Sequence, residues 1–214
     1  MFTDEQTSRL QARWLAAARI GNGDAYGALF MAYHAALVRY AWPLVGSQED
    51  AEDAVHDAFL KSWQRLDRFD ERRGTYGTWI FAVTRNCCLD RLRARKRRPT
   101  SQAPDPDAQA DWLADDAPDP EHQAMQQDRQ SAMMTRLTML PPAYRETLVL
   151  FYWNDLSVHE IAQVTGTSES NVKSRLSRGR SRLADILRRE MGVRRDRQPS
   201  LDALDLLLAG SGQV

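Results

Sequence analysis

At 214 residues, 43% of them hydrophobic, the chain is long enough to bury one or two cores. No apolar run approaches the ~20 residues that cross a bilayer, and the polar start MFTDEQTSRLQARW is unlike a secretory signal, so a soluble cytoplasmic protein is expected. Net charge is zero but unevenly placed: residues 1–98 carry 16 Lys and Arg against 12 acids, residues 99–131 carry 1 against 8, and residues 132–197 carry 12 against 7. Two basic bodies joined by an acidic connector follow from that distribution.

Helical periodicity dominates and hairpin signals are scarce, so the predicted class is all-α. A first helix is expected over Arg9 to Ile20, with Leu10, Trp14 and Leu15 apolar, broken by Gly21-Asn22-Gly23. Asp24 is placed to cap a second, carrying Tyr26, Leu29, Phe30, Tyr33, Leu37 and Tyr40 and stopping near Pro43. Ser47 with Asp50 opens a third, Gln48 to about Leu66, whose stripe is Ala51, Val55, Phe59, Trp63 and Leu66. After the polar loop DRFDERRGTYG, a fourth runs from Thr78 to about Arg97 and ends in RLRARKRR. Adjacent helical residues point in different directions, so Cys87 and Cys88 are read as small core residues rather than a disulfide.

Residues 99–120 hold five prolines and several acids and read as a flexible or extended linker with Trp112 its only aromatic. The helical pattern returns from about His122; Pro142 suits a helix start, followed by an apolar face of Tyr144, Leu148, Phe151 and Tyr152. The most informative stretch is SVHEIAQVTGTSESNVKSRLSRGRSRL, Ser157 to Leu183. Ser157 with Glu160 is a capping box, Gly166 supplies a turn where positive φ is cheap, and Ser168 or Thr167 caps a second helix buried along Val172, Leu176 and Leu183. Together these predict a helix-turn-helix. Its outward face offers Ser170, Asn171, Lys173, Ser174, Arg175, Ser177 and Arg178, the short hydrogen-bonding groups and long cations that a major-groove reader needs. A helical hairpin with a solvated basic face is the plainer alternative. The tail beyond Pro199 contains one short apolar helix candidate.

Two basic helical domains, an acidic linker and a C-terminal helix-turn-helix together resemble bacterial sigma factors of the extracytoplasmic function (ECF, group 4) class. DAEDAVHDAFLKSWQRL resembles the family's polymerase-binding helix, GTYGTWIFAVTRNCCLDRLRARKRR its −10 element segment, and Leu140 to Leu183 its −35-reading domain. The resemblance implies a region 2-like domain over 1–98, a linker over 99–128, a region 4-like domain over 129–192 and a tail of unassigned role over 193–214. It implies docking of Asp50, Glu52, Asp53, His56, Asp57 and Leu60 on the β′ clamp helices of core polymerase, with the β flap as a further contact. A solvated acidic face, or a metal held by Glu52, His56 and a neighbour, are the alternatives for that helix.

For the −10 element, the expected contacts are Asp70, Arg72, Arg73, Tyr76, Arg85, Asn86, Arg91, Arg93, Arg95 and Lys96. Cations interleaved with Phe69, Tyr76 and Trp79 suit single-stranded DNA, whose bases stack and whose phosphates attract Arg and Lys. Core packing is the competing role for Phe69 and Trp79. In the second domain Lys173, Ser174, Ser177 and Arg178 are expected at base edges, and Arg175, Arg180 and Arg182 at phosphates. By the same resemblance the linker threads the polymerase cleft, a plain tether being the other possibility, and an anti-sigma factor regulates the chain. No nucleophile–base pair, phosphate loop, cofactor or metal site is indicated, so an enzyme is not expected. A stand-alone helix-turn-helix regulator on duplex operator DNA is the rival function.

Overall fold

The computed structural model describes residues 4–97 and 132–190. The linker, Trp112, the resumption of helix near His122 and the C-terminal tail lie outside the described residues.

The N-terminal half is four helices: α1 (Asp4–Arg19), α2 (Gly23–Val45), α3 (Gln48–Trp63) and α4 (Tyr76–Arg97), with two 3-10 turns, Leu66–Arg68 and Glu71–Arg73, between the last two. The C-terminal half is α5 (132–138), α6 (Pro142–Tyr152), α7 (Val158–Thr165) and α8 (Glu169–Glu190). Every described element is helical, as the periodicity predicts.

The differences from the expected boundaries have local causes. The second helix runs past Pro43 to Val45, only two residues beyond the proline; Gly46, at φ 87°, then closes the helix by donating to the Trp42 carbonyl at 2.8 Å. The Asn22 side chain, not Asp24, caps its start by accepting from Ala25 N. α3 opens where Ser47 accepts from Asp50 N at 3.1 Å, but stops at Trp63. Leu66 stays buried at 4% exposure from a 3-10 turn, so the apolar stripe outlasts the helix. Trp63, expected on that stripe, is 36% exposed and rests on Tyr26 at 4.5 Å between ring centroids. α4 starts two residues early because the Thr75 hydroxyl accepts from Thr78 N.

In the N-terminal half α3 packs on α2 and α4, and α1 on α2; in the C-terminal half α6 and α7 both pack on α8. Val172, Leu176 and Leu183 are buried, as are Ile161 and Val164 opposite them. Gly179 sits where α8 crosses α6: a Cβ there would stand 3.3 Å from Leu148. Cys87 and Cys88 are free thiols, 2% and 1% exposed. The halves are also in contact with each other, α6 on α2 and α7 on α4, so the buried apolar residues form one continuous cluster.

Candidate nucleic-acid interface

The helix-turn-helix is built by its caps. Ser157 Oγ accepts from Glu160 N at 3.2 Å, while Glu160 Oε2 accepts from Ser157 N at 2.9 Å, so α7 begins with both orphan donors satisfied. Gly166 takes φ 65° and ψ 36°, and Thr167 N reaches back to the Ala162 carbonyl at 3.0 Å. Only glycine adopts that left-handed turn without strain. Ser168 caps α8 through Asn171 N at 3.3 Å. His159 Nδ1 meets Glu169 Oε1 at 2.9 Å and ties the two helices on their outer side.

With Val172, Leu176 and Gly179 turned inward, α8 presents Ser170, Asn171, Lys173, Ser177, Arg178 and Arg182 as exposed, and Ser174, Arg175 and Arg180 as half-buried. The Arg182 guanidinium lies 5.2 Å over the Tyr144 ring, which fixes the stem of a charge expected at phosphates.

The segment before α4 is pinned rather than loose. Arg19 of α1 donates to the Phe69 carbonyl at 2.8 Å, lies 5.5 Å over the Phe69 ring and pairs with Glu71 at 3.0 Å. Arg72 holds Asp70 through two parallel bonds, 2.9 and 3.0 Å, and this pairing keeps the Asp70 carboxyl below the usual carboxylate range. Arg73 is exposed. Tyr76, expected among the DNA contacts, is 6% exposed. Its ring packs edge-on to Tyr33 and Phe69 and tilts onto Trp79, so in this arrangement it is core, and Trp79 is half-buried beside it. Tyr33, Phe69, Tyr76 and Trp79 thus form one group of aromatic rings in contact.

Along α4, Asn86, Arg93, Arg95 and Lys96 are exposed, with Arg93 on Asp90 at 3.0 Å. Arg91 and Arg85, both expected at DNA, are engaged by acids of other helices. Arg91 turns to α3 and meets Asp57 at 2.9, Asp53 at 3.2 and Asp50 at 3.7 Å. Arg85 meets Glu146 of α6, Nε to Oε1, at 2.6 Å. The spacing reading missed Glu146 and Arg19. Glu146 lies on the side of α6 opposite Tyr144 and Leu148, and the available signal for it was a second apolar side, Val149 and Leu150 at three and four places on; nothing local marks Arg19.

The acids of α3 remain accessible around Arg91, with side-chain exposures of 42% at Asp50, 60% at Asp53 and 49% at Asp57. Leu60 is 62% exposed on the same helix, an apolar side chain among charges. Glu52 accepts from Gln48 at 3.0 Å, and His56 Nδ1 faces the Glu52 carbonyl at 3.1 Å. Among the described residues no three His, Cys, Asp or Glu side chains are grouped to hold a metal, and no helix is long and apolar enough to cross a membrane.

Two family models match the chain, Sigma-70 region 2 over residues 29–98 and Sigma-70 region 4 over residues 130–183. The ECF RNA polymerase sigma factor SigM of Mycobacterium tuberculosis is 32% identical over 179 residues, which span 84% of this chain and 85% of SigM. SigW of Bacillus subtilis is 27% identical, spanning 78% of this chain and 91% of SigW. The probable sigma factor RfaY of Xanthomonas campestris is 31% identical, but the match takes in only 42% of its length. Among solved structures, CnrH in complex with the cytosolic domain of CnrY superposes with a TM-score of 0.62 at 25% identity, over 85% of this chain and 99% of that one. A capped helix-turn-helix with an exposed polar face, an acidic α3 and a basic α4, each falling within a matching model, place this chain in the ECF family of RNA polymerase sigma factors.

Proposed function

We propose that the chain is a promoter-specificity subunit: it binds core RNA polymerase, directs initiation at promoters with paired −10 and −35 elements, and is held in check by an anti-sigma factor. The observation that carries this reading is the presence in one chain of two different surfaces, the exposed reading face of α8 and the acidic, Leu60-bearing face of α3. A duplex-binding regulator needs the first and has no use for the second. The two family models in this order support the same reading.

In the division of labour, α3 docks on the polymerase clamp through Asp50, Asp53, Asp57 and Leu60. The end of α4 follows phosphates with Arg93, Arg95 and Lys96, while α8 enters the −35 major groove. Such contacts to phosphate give affinity and salt dependence, and those to base edges give sequence. The solved relatives CnrH and RpoE of Bartonella quintana are each seen with a second protein, CnrY and the anti-sigma factor NepR. An inhibitor acting on this chain would have to cover the polymerase-facing or DNA-facing surfaces. The cytoplasm, where core polymerase works, is the place of action.

Run-off transcription with purified core polymerase on a genomic fragment library tests the proposal. Discrete start sites that depend on the chain and share two upstream elements are expected. Specific duplex binding in a shift assay with no dependent start sites would replace the reading with that of a stand-alone regulator.

A further inference from the structure

The contact between the halves buries polar groups in matched positions. Glu146 of α6 is 5% exposed, and its Oε1 accepts from the Tyr40 hydroxyl at 2.9 Å and from Arg85 Nε at 2.6 Å. Its neighbour Arg145 donates to the Pro43 carbonyl at 2.5 Å. A second point of contact lies at α7: Gln163 donates to the Arg73 carbonyl at 3.2 Å, and Glu160 Oε1 stands 3.5 Å from the Thr78 hydroxyl. Gly74 lies at this approach. It adopts φ 153°, and a Cβ there would fall 2.9 Å from the Gln163 amide oxygen. The cleft left between them, about 680 Å³, is lined by Arg72, Arg73 and Thr75 on one side and by Ser157, His159 and Gln163 on the other.

The face of the N-terminal half that is joined is one expected to serve DNA, whereas the reading face of α8 stays exposed. Arg85 is taken by Glu146, and the segment before α4 is roofed by α7, the first helix of the helix-turn-helix. Geometry adds a second argument. Halves of under about 100 residues are roughly 30 Å across, so their centres lie about that far apart when packed together. Promoter elements one and a half to two duplex turns apart are separated by ~50–70 Å. The packed chain cannot sit on both.

The polar part of the contact, set beside the apolar side chains that also meet there, is of a kind that opens. A buried ion pair with a third hydrogen bond is well satisfied where it stands, but its desolvation cost makes its net contribution small compared with an apolar seam. On separation all three groups regain water, whereas loss of one partner in place leaves a charge unpaired.

We propose that this closed arrangement is a self-inhibited state of the free chain, latched by Glu146 on Arg85 and Tyr40, and that assembly with core polymerase and promoter requires the latch to open. The proposal rests on the sigma-factor reading above. It makes Glu146 a positioning residue that competes with DNA for Arg85.

Small-angle X-ray scattering on the full-length chain reads the compactness, and binding of a single-stranded −10 oligonucleotide reads the accessibility. Glu146→Lys sets a cation against Arg85 and is expected to raise the radius of gyration. If the closed form dominates, opening raises oligonucleotide affinity about five- to tenfold, since apparent affinity scales with the competent fraction. Glu146→Gln is expected to shift both readouts the same way by less, and it carries the test should Glu146→Lys fail to fold by circular dichroism. Glu49→Lys, the same change of charge on exposed Glu49 of α3, is the control and is expected to leave compactness unaltered. The exchange Arg85→Glu with Glu146→Arg is expected to restore compactness. An unaltered chain that is already extended overturns the latch, as do Glu146 variants that match it, or the control, in both readouts. Run-off transcription on the same preparations separates the two readings: dependent transcripts alongside unmoved readouts overturn the latch alone, and no transcripts from the unaltered chain overturn the sigma reading.

Discussion

Ser157 and Glu160 serve each other's backbone, and that reciprocity rather than any tertiary contact starts α7. Ser157→Ala is expected to cost ~1 kcal/mol, seen as a fall of a few degrees in the thermal midpoint of the full chain. Other residues have consequences only through their neighbours. Arg178 and Arg182 are both exposed cations on α8, yet Arg182 lies over Tyr144. Arg178→Ala is expected to relax selection at one −35 position, with discrimination falling by ~1–3 kcal/mol. Arg182→Ala is expected to weaken all sequences alike and to reduce the salt slope. Competition binding against a set of single-base variants at two salt concentrations distinguishes them; equal behaviour would refute the assignment. Tyr76 shows the limit of residue reading. A tyrosine beside arginines in a loop looks like a stacking platform, but Tyr33, Phe69 and Trp79 already surround it.

At the scale of elements, α3 has a buried side of Ala51, Val55 and Phe59 and an outer side of acids gathered around one arginine. Arg91 ties α3 to α4 while leaving the carboxylates open, so the helix is positioned and still acidic. Asp53→Arg is expected to leave the fold intact, because its side chain is 60% exposed, and to weaken binding to core polymerase severalfold in a titration. Unchanged affinity would remove α3 from the docking surface. The longer helices were legible from their period, and so were the cap of α3 and both caps of the helix-turn-helix, whereas the two 3-10 turns were read as helix end and loop. Boundaries were less so. Leu66 continues the apolar spacing of α3 from a different backbone geometry, and Gly179, unremarkable within a basic helix, proves to be the crossing point of α8 on α6. Periodicity reports which side chains face inward; it does not report where the backbone stops being helical to let them.

At the scale of the whole molecule, several buried acids are held neutral. Burial, with Glu160 of the other half adding to it, pushes Tyr33 up to about 12. Burial and then Glu146 raise Tyr40 well above 10.0, and burial with Cys87 raises Cys88 from 9.0 to about 12. Each of these folded-state values is raised, so the stability they contribute is complete below the unfolded values and is lost as pH rises towards the folded ones. The thermal midpoint is therefore expected to hold up to about pH 9 and to fall steadily above it. A midpoint unchanged between pH 8 and 11 would show that these groups are not buried as described. Tyr33 and Tyr40 owe part of their shift to acids of the other half, so alkaline loosening is expected to begin at the contact between halves.

The sequence by itself determined what depends on near neighbours along the chain: an all-helical class, the caps, the glycine turn, the inward stripe of α8 and the distribution of charge into two basic bodies. These are set by hydrogen bonds and spacings within a few residues, so they survive without knowledge of the rest. Only the tertiary structure decided which charges are spoken for. Arg19 and Phe69 are 50 residues apart, Arg85 and Glu146 are 61, and Arg145 and Pro43 are 102. No local pattern pairs groups at such separations, because their meeting is set by how α1 settles on the segment before α4 and α6 on α2 and α4. That packing turns one expected DNA-facing surface, around Arg85 and the segment before α4, towards α6 and α7, and leaves the reading face of α8 exposed.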